Sequence, residues 1–182
     1  QAECFGNVRQ LGTALRLYCQ DWNFCYPMHW AHPDGPNWWK PTAVGTSSTW
    51  AGSLRKYVKS DRVWVCHAVK DYSAGKPGIS YIGNGELFAA IGSNGKYTMS
   101  GITDSNLRRS SRCIAMFDAG ATWNGATYRP IWNGSVWYGF PDYRSGTWYL
   151  AHNNGINVAF ADGHAKWLSG NFVMDNLDMF KP

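Results

Sequence analysis

At 182 residues the chain is long enough for one domain around one buried core. Apolar residues make up 45% and charged residues only 16%, with 20 Gly, 11 Trp and 10 Tyr, which excludes a disordered chain and a helical bundle and points to an aromatic, glycine-rich protein rich in β-structure. The net charge of +5 permits contact with anionic partners, yet Arg55-Lys56-x-x-Lys59 and Arg108-Arg109-x-x-Arg112 read as solvated faces, and nucleic acid is not the expected partner.

The opening segment carries Phe5, Val8, Leu11, Leu15, Tyr18 and Trp22 in steps of three and four, which predicts an amphipathic helix over about 2–22 with one buried face. No Ser, Thr, Asp or Asn precedes it as an N-cap, so the helix is expected to continue upstream in the full gene product. No stretch has the ~18 apolar residues of a membrane span. A loop rich in Pro, Gly and aromatics follows over 23–47. A short helix is expected over about 48–59, with Trp50, Leu54, Tyr57 and Val58 inward and Ser48 or Thr49 as cap.

The sheet and its loops should fill 62–168, with a C-terminal tail at 169–182. Strand composition marks "RVWVC" at 62–66, a short strand at 79–82 followed by a helical turn near 87–91, and above all "CIAMF" at 113–117, ending at Asp118. The tripeptide Trp-Asn-Gly stands at Trp123 and at Trp132, and Asn-Gly between aromatic runs predicts one or two hairpins there.

The stretch "HNNGINVAFADGHAKWL" closes the chain's ordered pattern. Read with Asp162-Gly163 as a two-residue turn, it places Ala161 opposite His164 and Phe160 opposite Ala165. Alternation then gathers Val158, Phe160, Ala165 and Trp167 on a core face and leaves Ala159, Ala161, His164 and Lys166 on a wetted one.

Five cysteines, Cys4, Cys19, Cys25, Cys66 and Cys113, form no C-x-x-C pair, which argues against a zinc ribbon and suits an oxidising compartment. Two disulfides would leave one thiol spare, and the sequence alone leaves the pairing open.

The segments "CFGNVRQLGTALRLYCQDWNFCYP", "VWVCHA", "SYIGN", "MFDAG" and "HNNGINVAFADGHAKWL" together resemble the prepilin-like proteins with a C-terminal H-x9-DG motif, relatives of type IV pilins and type II secretion pseudopilins. His152, nine residues and Asp162-Gly163 make up that motif. The resemblance implies an α+β, pilin-like fold in which the second half of a long helix packs on an antiparallel sheet. It also implies a cleaved leader and an apolar half-helix that anchors the precursor and later packs in a filament core. This chain lacks that apolar half, as a truncated ectodomain would. The resemblance further implies a disulfide between Cys4 and Cys66, with Cys19, Cys25 and Cys113 as additions of this chain.

No G-x-S-x-G elbow and no H-E-x-x-H is present, and the chain has only two glutamates, Glu3 and Glu86, so no catalytic constellation is visible. Asp162 and Gly163 are read as structural, the aspartate capping its own turn and the glycine supplying positive φ. His152 is read as a structural hydrogen-bond partner, with Asp118 as its candidate acceptor and a cation contact as the lesser option. The resemblance brings calcium into view, since major pseudopilins of type II secretion hold it in a C-terminal loop, but no run of alternating Asp or Asn ligands marks a calcium loop here, so no cofactor is expected and calcium is the lesser alternative. His29, His32 and Asp34 are read as loop polarity.

Trp30, Trp38, Trp39, Trp123, Trp132, Trp137 and Trp148 lie in loops or hairpins, whereas Trp22, Trp50, Trp64 and Trp167 fit core patterns. The first group could cover the sheet, bury against a neighbouring subunit or stack on sugar rings. The expectation is therefore a single-domain, non-catalytic subunit or surface adhesin of a pilus-like or pseudopilus filament, at the cell surface or in the periplasm, partnered by its own copies or other pilin-like subunits. The alternatives are a carbohydrate-binding module that takes polysaccharide on its tryptophans and a DNA-binding minor pilin.

Overall fold

The computed structural model describes residues 1–27, 50–68, 80–88, 90–91, 97–98, 102–118, 120–123, 126–128, 136–137, 148–150 and 152–182. Helix α1 spans Ala2–Asp21 and buries Cys4, Asn7, Val8, Leu11, Gly12, Ala14, Leu15 and Cys19, the stripe that the three-and-four spacing predicts. Trp22 does not join it. The helix stops at Asp21, and the next ring is 54% exposed, stacked on Tyr18 at 5.6 Å with the Lys56 ammonium 5.9 Å from its centroid. Asn23 and Phe24, at φ 51° and 59°, turn the chain back, and Cys25 bridges to Thr103. Among the described residues, no helix is long and apolar enough to cross a membrane.

Helix α2, Trp50–Leu54, runs into a 3-10 turn at Arg55–Tyr57, with Trp50 and Leu54 buried and Tyr57 and Val58 half-buried. Segment 62–66, expected as a strand, is instead entered by a 3-10 turn at Asp61–Trp64. The Ser60 hydroxyl accepts from the Arg62 amide at 3.3 Å, and this local cap decides the conformation over the β-propensity of Val63 and Trp64.

Ten strands follow among the described residues: β1 Tyr81–Asn84, β2 Ala90–Ile91, β3 Tyr97–Thr98, β4 Ile114–Asp118, β5 Gly120–Trp123, β6 Ala126–Tyr128, β7 Val136–Trp137, β8 Trp148–Tyr149, β9 Gly155–Phe160 and β10 Ala165–Ser169, with a helical turn α3 at Gly85–Phe88. The main sheet runs β10-β9-β4-β1-β7; its first four strands are antiparallel and β7 pairs parallel to β1. The predicted buried strand ending at Asp118 is β4, buried at all five positions. Trp123 pairs with Ala126, the partners expected of a hairpin across Asn124-Gly125, while Trp132 lies outside the described residues. The class is α+β.

The closing hairpin differs from its predicted register by one residue. Ala165 stands opposite Ala159 and Trp167 opposite Asn157. The Phe160 amide donates to the His164 carbonyl and the Gly163 amide to the Phe160 carbonyl, both at 2.9 Å, which closes a three-residue loop, Ala161-Asp162-Gly163, with Gly163 at φ +91°. This is the turn-plus-bulge form of hairpin, and one extra loop residue shifts β10 by one position, so its side chains change faces.

Both faces of the sheet are consequently covered, where one was expected to be wet. Ala159 and Ala161 lie in a core with Val8, Leu11 and Leu15 of α1 and with Trp50. Ile82, Ile114, Val158 and Phe160 point to the other side, into a second core closed by Val173 and Met179 of the tail. That tail folds as helix α4, Gly170–Asp175, capped by the Ser169 hydroxyl, followed by a 3-10 turn at Leu177–Phe180. Its carbonyl at Phe180 accepts from the buried Asn84 amide at 2.9 Å.

The small residues on the helix side have a steric reason. A Cβ added at Gly12 of α1 would lie 2.4 Å from the Gly163 carbonyl oxygen, so the hairpin tip rests on the helix backbone itself. Gly163 carries two demands, positive φ and this close approach, since a Cβ there would meet Arg16 Cγ at 2.5 Å. Gly12→Ala is expected to cost about 2 kcal/mol despite alanine's better helix propensity, because the blocking atom is backbone. Gly6→Ala, with nothing within 4 Å of the new methyl, should instead stabilise by up to about 1 kcal/mol. Urea unfolding of the two variants checks the contrast; equal effects would remove the claim of a helix–hairpin contact.

Candidate functional site: a buried histidine, carboxylate and dithiol

Asp118 ends β4 between two partners that fix it. Tyr81 of β1 pairs with it, and the β4–β9 pairing brings Asn157 of β9 alongside. Its carboxylate is fully buried; one oxygen accepts from the Asn157 backbone amide at 2.6 Å and the other from the Asn157 side-chain amide at 2.7 Å.

His152 reaches the same carboxylate oxygen with Nε2 at 3.0 Å while only 2% exposed. Its backbone is held by a tight turn in which Asn153 and Asn154 both adopt left-handed φ (52° and 56°) and the Gly155 amide donates to the His152 carbonyl at 3.0 Å. Asparagine tolerates that conformation better than other side chains, which accounts for the pair in "HNNG". The same carbonyl also accepts from Trp167 Nε1 at 2.9 Å.

Cys4, in the first turn of α1, and Cys66, just beyond the Asp61–Trp64 turn, complete the cluster. Asn7 Nδ2 donates to the Val65 carbonyl at 3.2 Å and holds that segment to the helix. The two cysteines are free thiols with their sulfurs 2.7 Å apart, and Cys66 Sγ lies 3.3 Å from His152 Nε2. The pairing implied by the resemblance is thus spatially in place. The Cys19 thiol, by contrast, is pushed up to about 12 by burial, which outweighs the pull of the nearby Arg16.

Asp118 and His152 share a proton that the imidazole keeps. The hydrogen bond to Asp118 and the contact with Cys4 raise His152 to about 9, against the cost of its own burial. Burial pushes the Asp118 carboxyl upward while His152 and Asn157 pull it back. The Cys66 hydrogen bond brings Cys4 down to about 4, burial opposing and His152 helping, whereas Cys66, as the donor, is pushed up. The reduced cluster therefore holds imidazolium against carboxylate and a thiol against a thiolate.

A raised folded pKa means that the His152 contribution is complete below the unfolded value near 6.5 and is lost as pH rises through about 9. Between those limits the wild-type protein, kept reduced, should lose on the order of 2 kcal/mol more stability than His152→Gln. Melting curves from pH 6 to 10 measure this, and parallel profiles would show that the imidazole does not titrate there.

Cys4, Cys66 and His152 offer ligand atoms within 4.8 Å of one another. The donor types suit zinc, but two thiolates on one tetrahedral zinc stand roughly 3.7 Å apart at Zn–S distances of ~2.3 Å. The observed 2.7 Å is closer to a disulfide, which forms at ~2.05 Å. Calcium does not fit here, since it asks for six or more oxygens and both Asp118 oxygens are already engaged.

Asp162 is elsewhere. It lies past the far end of β9 from His152, roughly 20 Å of strand away. There its carboxylate accepts from the His164 amide at 3.1 Å and meets His164 Nδ1 at 2.6 Å. The two ends of the H-x9-DG motif therefore serve two places, one inside the sheet and one at the helix contact. Trp30, Trp38, Trp39 and Trp132, with His29, His32 and Asp34, lie outside the described residues, as do the side chains of Trp123 and Trp137.

Two features escaped the sequence reading. Asn157 is the one amide in the apolar run "INVAF" and could have been flagged as a buried partner. The ion pair of Arg16 with Asp104, two bonds of 3.0 Å joined by the Tyr26 hydroxyl at 2.5 Å, needed the fold to be seen. Comparison of the chain with known protein families, curated proteins and solved structures finds no match.

Proposed function

We propose that the chain is the ectodomain of a pilin-like subunit: a non-catalytic structural or adhesive component of a pilus-like or pseudopilus filament. It works at the cell surface or in the periplasm, anchored as a precursor through an upstream apolar helix, and assembles with its own copies or other pilin-like subunits. The observation that carries this reading is the fastening of α1. The helix packs against β4, β9 and β10 and is tied near one end by Cys4 beside Cys66 and near the other by Arg16 on Asp104. Load arriving through the helix would pass directly into the sheet.

Its outer stripe, including Glu3, Arg9, Gln10, Thr13, Leu17 and Gln20, stays exposed and free for neighbours. The chemically suggestive residues support a structural role as well. Asp118, His152, Cys4 and Cys66 are 0–3% exposed, which leaves a substrate no approach to them.

Deletion of the gene, together with fractionation of the full-length product, tests the proposal. The expected result is membrane retention of the precursor through an upstream apolar segment and loss of a surface filament or of secretion in the deletion strain. A full-length product without membrane insertion, and a deletion strain with neither phenotype, would refute it.

A further inference from the structure

The segment Leu107–Cys113 enters β4 as a tight turn, with the Arg112 and Cys113 amides both donating to the Arg109 carbonyl at 2.9 and 3.0 Å. Two bonds fix it to the closing hairpin, from the Ala161 amide to the Cys113 carbonyl at 2.8 Å and from the Asp162 amide to the Ser110 carbonyl at 3.3 Å. The tail faces it, itself held by Asn84 on the Phe180 carbonyl and by the buried Met179. Between these two walls lies a half-open cavity of about 480 Å³ lined by Arg108, Arg109, Arg112, Cys113, Asp178, Lys181 and Pro182. That volume falls in the range of small-ligand pockets, ~300–1,000 Å³.

The charges on the walls do not cancel. Arg112 meets Asp178 at 3.3 Å across the cavity, whereas Arg108, Arg109 and Lys181 have no ion-pair partner among the described residues. Unpaired cations held around one cavity repel each other until an anion enters. A lone phosphate monoester carries only about −1.5 to −2 near neutral pH, less than these three side chains balance. Arginine's planar fork also matches phosphate oxygens two at a time.

We propose that this cavity is a binding site for a small ligand bearing two linked phosphate groups, held by Arg108, Arg109 and Lys181 with Arg112 and Asp178 bracing the walls. A single half-open cluster of exposed cations favours a compact diphosphate over a nucleic-acid strand, which would follow a track of cations. The site is independent of the filament reading and stands or falls without it.

Titration calorimetry with inorganic pyrophosphate at low salt tests it on the purified chain. Saturable one-to-one binding is expected, weakened at least about tenfold in Arg108→Glu/Arg109→Glu and in Lys181→Glu, the second variant serving if the first fails to fold. Arg9→Glu/Lys59→Glu, exposed positions outside the cavity with the same change in charge, should weaken it less than about twofold. Absence of saturable binding, or equal losses in the control, would overturn the proposal. So would a single-stranded oligonucleotide that binds with a steep salt dependence and that pyrophosphate does not displace, since this would assign the cations to a polymer backbone.

Discussion

Oxidation of Cys4 and Cys66 to a disulfide is expected to stabilise the protein by about 4 kcal/mol over its reduced form. The thiols are 62 residues apart in sequence, and a cross-link across a loop of that length removes about this much free energy from the unfolded ensemble. The pair gives up two electrons and the protons it carries to a disulfide-bearing oxidant, whose S–S bond is cleaved to two thiols. Because both sulfurs are buried in the folded chain, the exchange takes place while α1 is undocked from Cys66: Cys4 attacks one sulfur of the oxidant and expels the other, and Cys66 then attacks Cys4 and expels the first. Intact mass with and without reductant, read beside urea midpoints, tests this. The oxidised protein should be lighter by two hydrogens and markedly more stable, and Cys4→Ser should match the reduced wild type. A protein that stays fully reduced under a glutathione-disulfide buffer, with no change in midpoint, would refute the cross-link.

Asp118→Ala is expected to cost about 3–5 kcal/mol, because it strands a buried imidazolium and leaves both Asn157 donors without their acceptor. Asp118→Asn should cost less, since it keeps an oxygen for the Asn157 backbone amide. His152→Gln combined with Asp118→Ala should be less damaging than the sum of the two singles, as members of one network are not additive. Chemical unfolding of the four proteins completes the cycle. A loss below about 1 kcal/mol for Asp118→Ala, or simple additivity, would mean that the pair does not carry the sheet's interior. Against a typical domain stability of ~5–15 kcal/mol, a loss of the expected size could leave the chain largely unfolded at body temperature.

The parts of this fold that were legible in the sequence are those fixed by side-chain periodicity alone. The three-and-four spacing in 2–21 and the unbroken apolar run "CIAMF" each have one stable solution, and both elements form where they are expected. Segment 62–66 was misread because β-branched and aromatic residues report a half-buried environment rather than a backbone shape, and Ser60 decides the shape. The hairpin was misread because Asp-Gly is compatible with a two-residue and a three-residue loop, and only the seating of Gly163 on Gly12 selects the longer one. Trp22 was misplaced since periodicity does not announce where a helix stops. His152 and Asp118 could be suspected of meeting, but the Cys66 contact depends on three segments converging, which no local pattern records.

The seat between Gly12 and Gly163 also orders events in time. Helix α1 finds part of its buried stripe's partners in residues 50–64 and the rest in β4, β9 and β10, which lie about a hundred residues or more further along the chain. Until those strands emerge, Val8, Leu11 and Leu15 are only partly covered, by Trp50, Leu54 and Trp64, and the nascent helix keeps a sticky surface in need of shielding. Loss of the final hairpin should therefore yield a chain that aggregates from its N-terminus rather than a shorter folded domain.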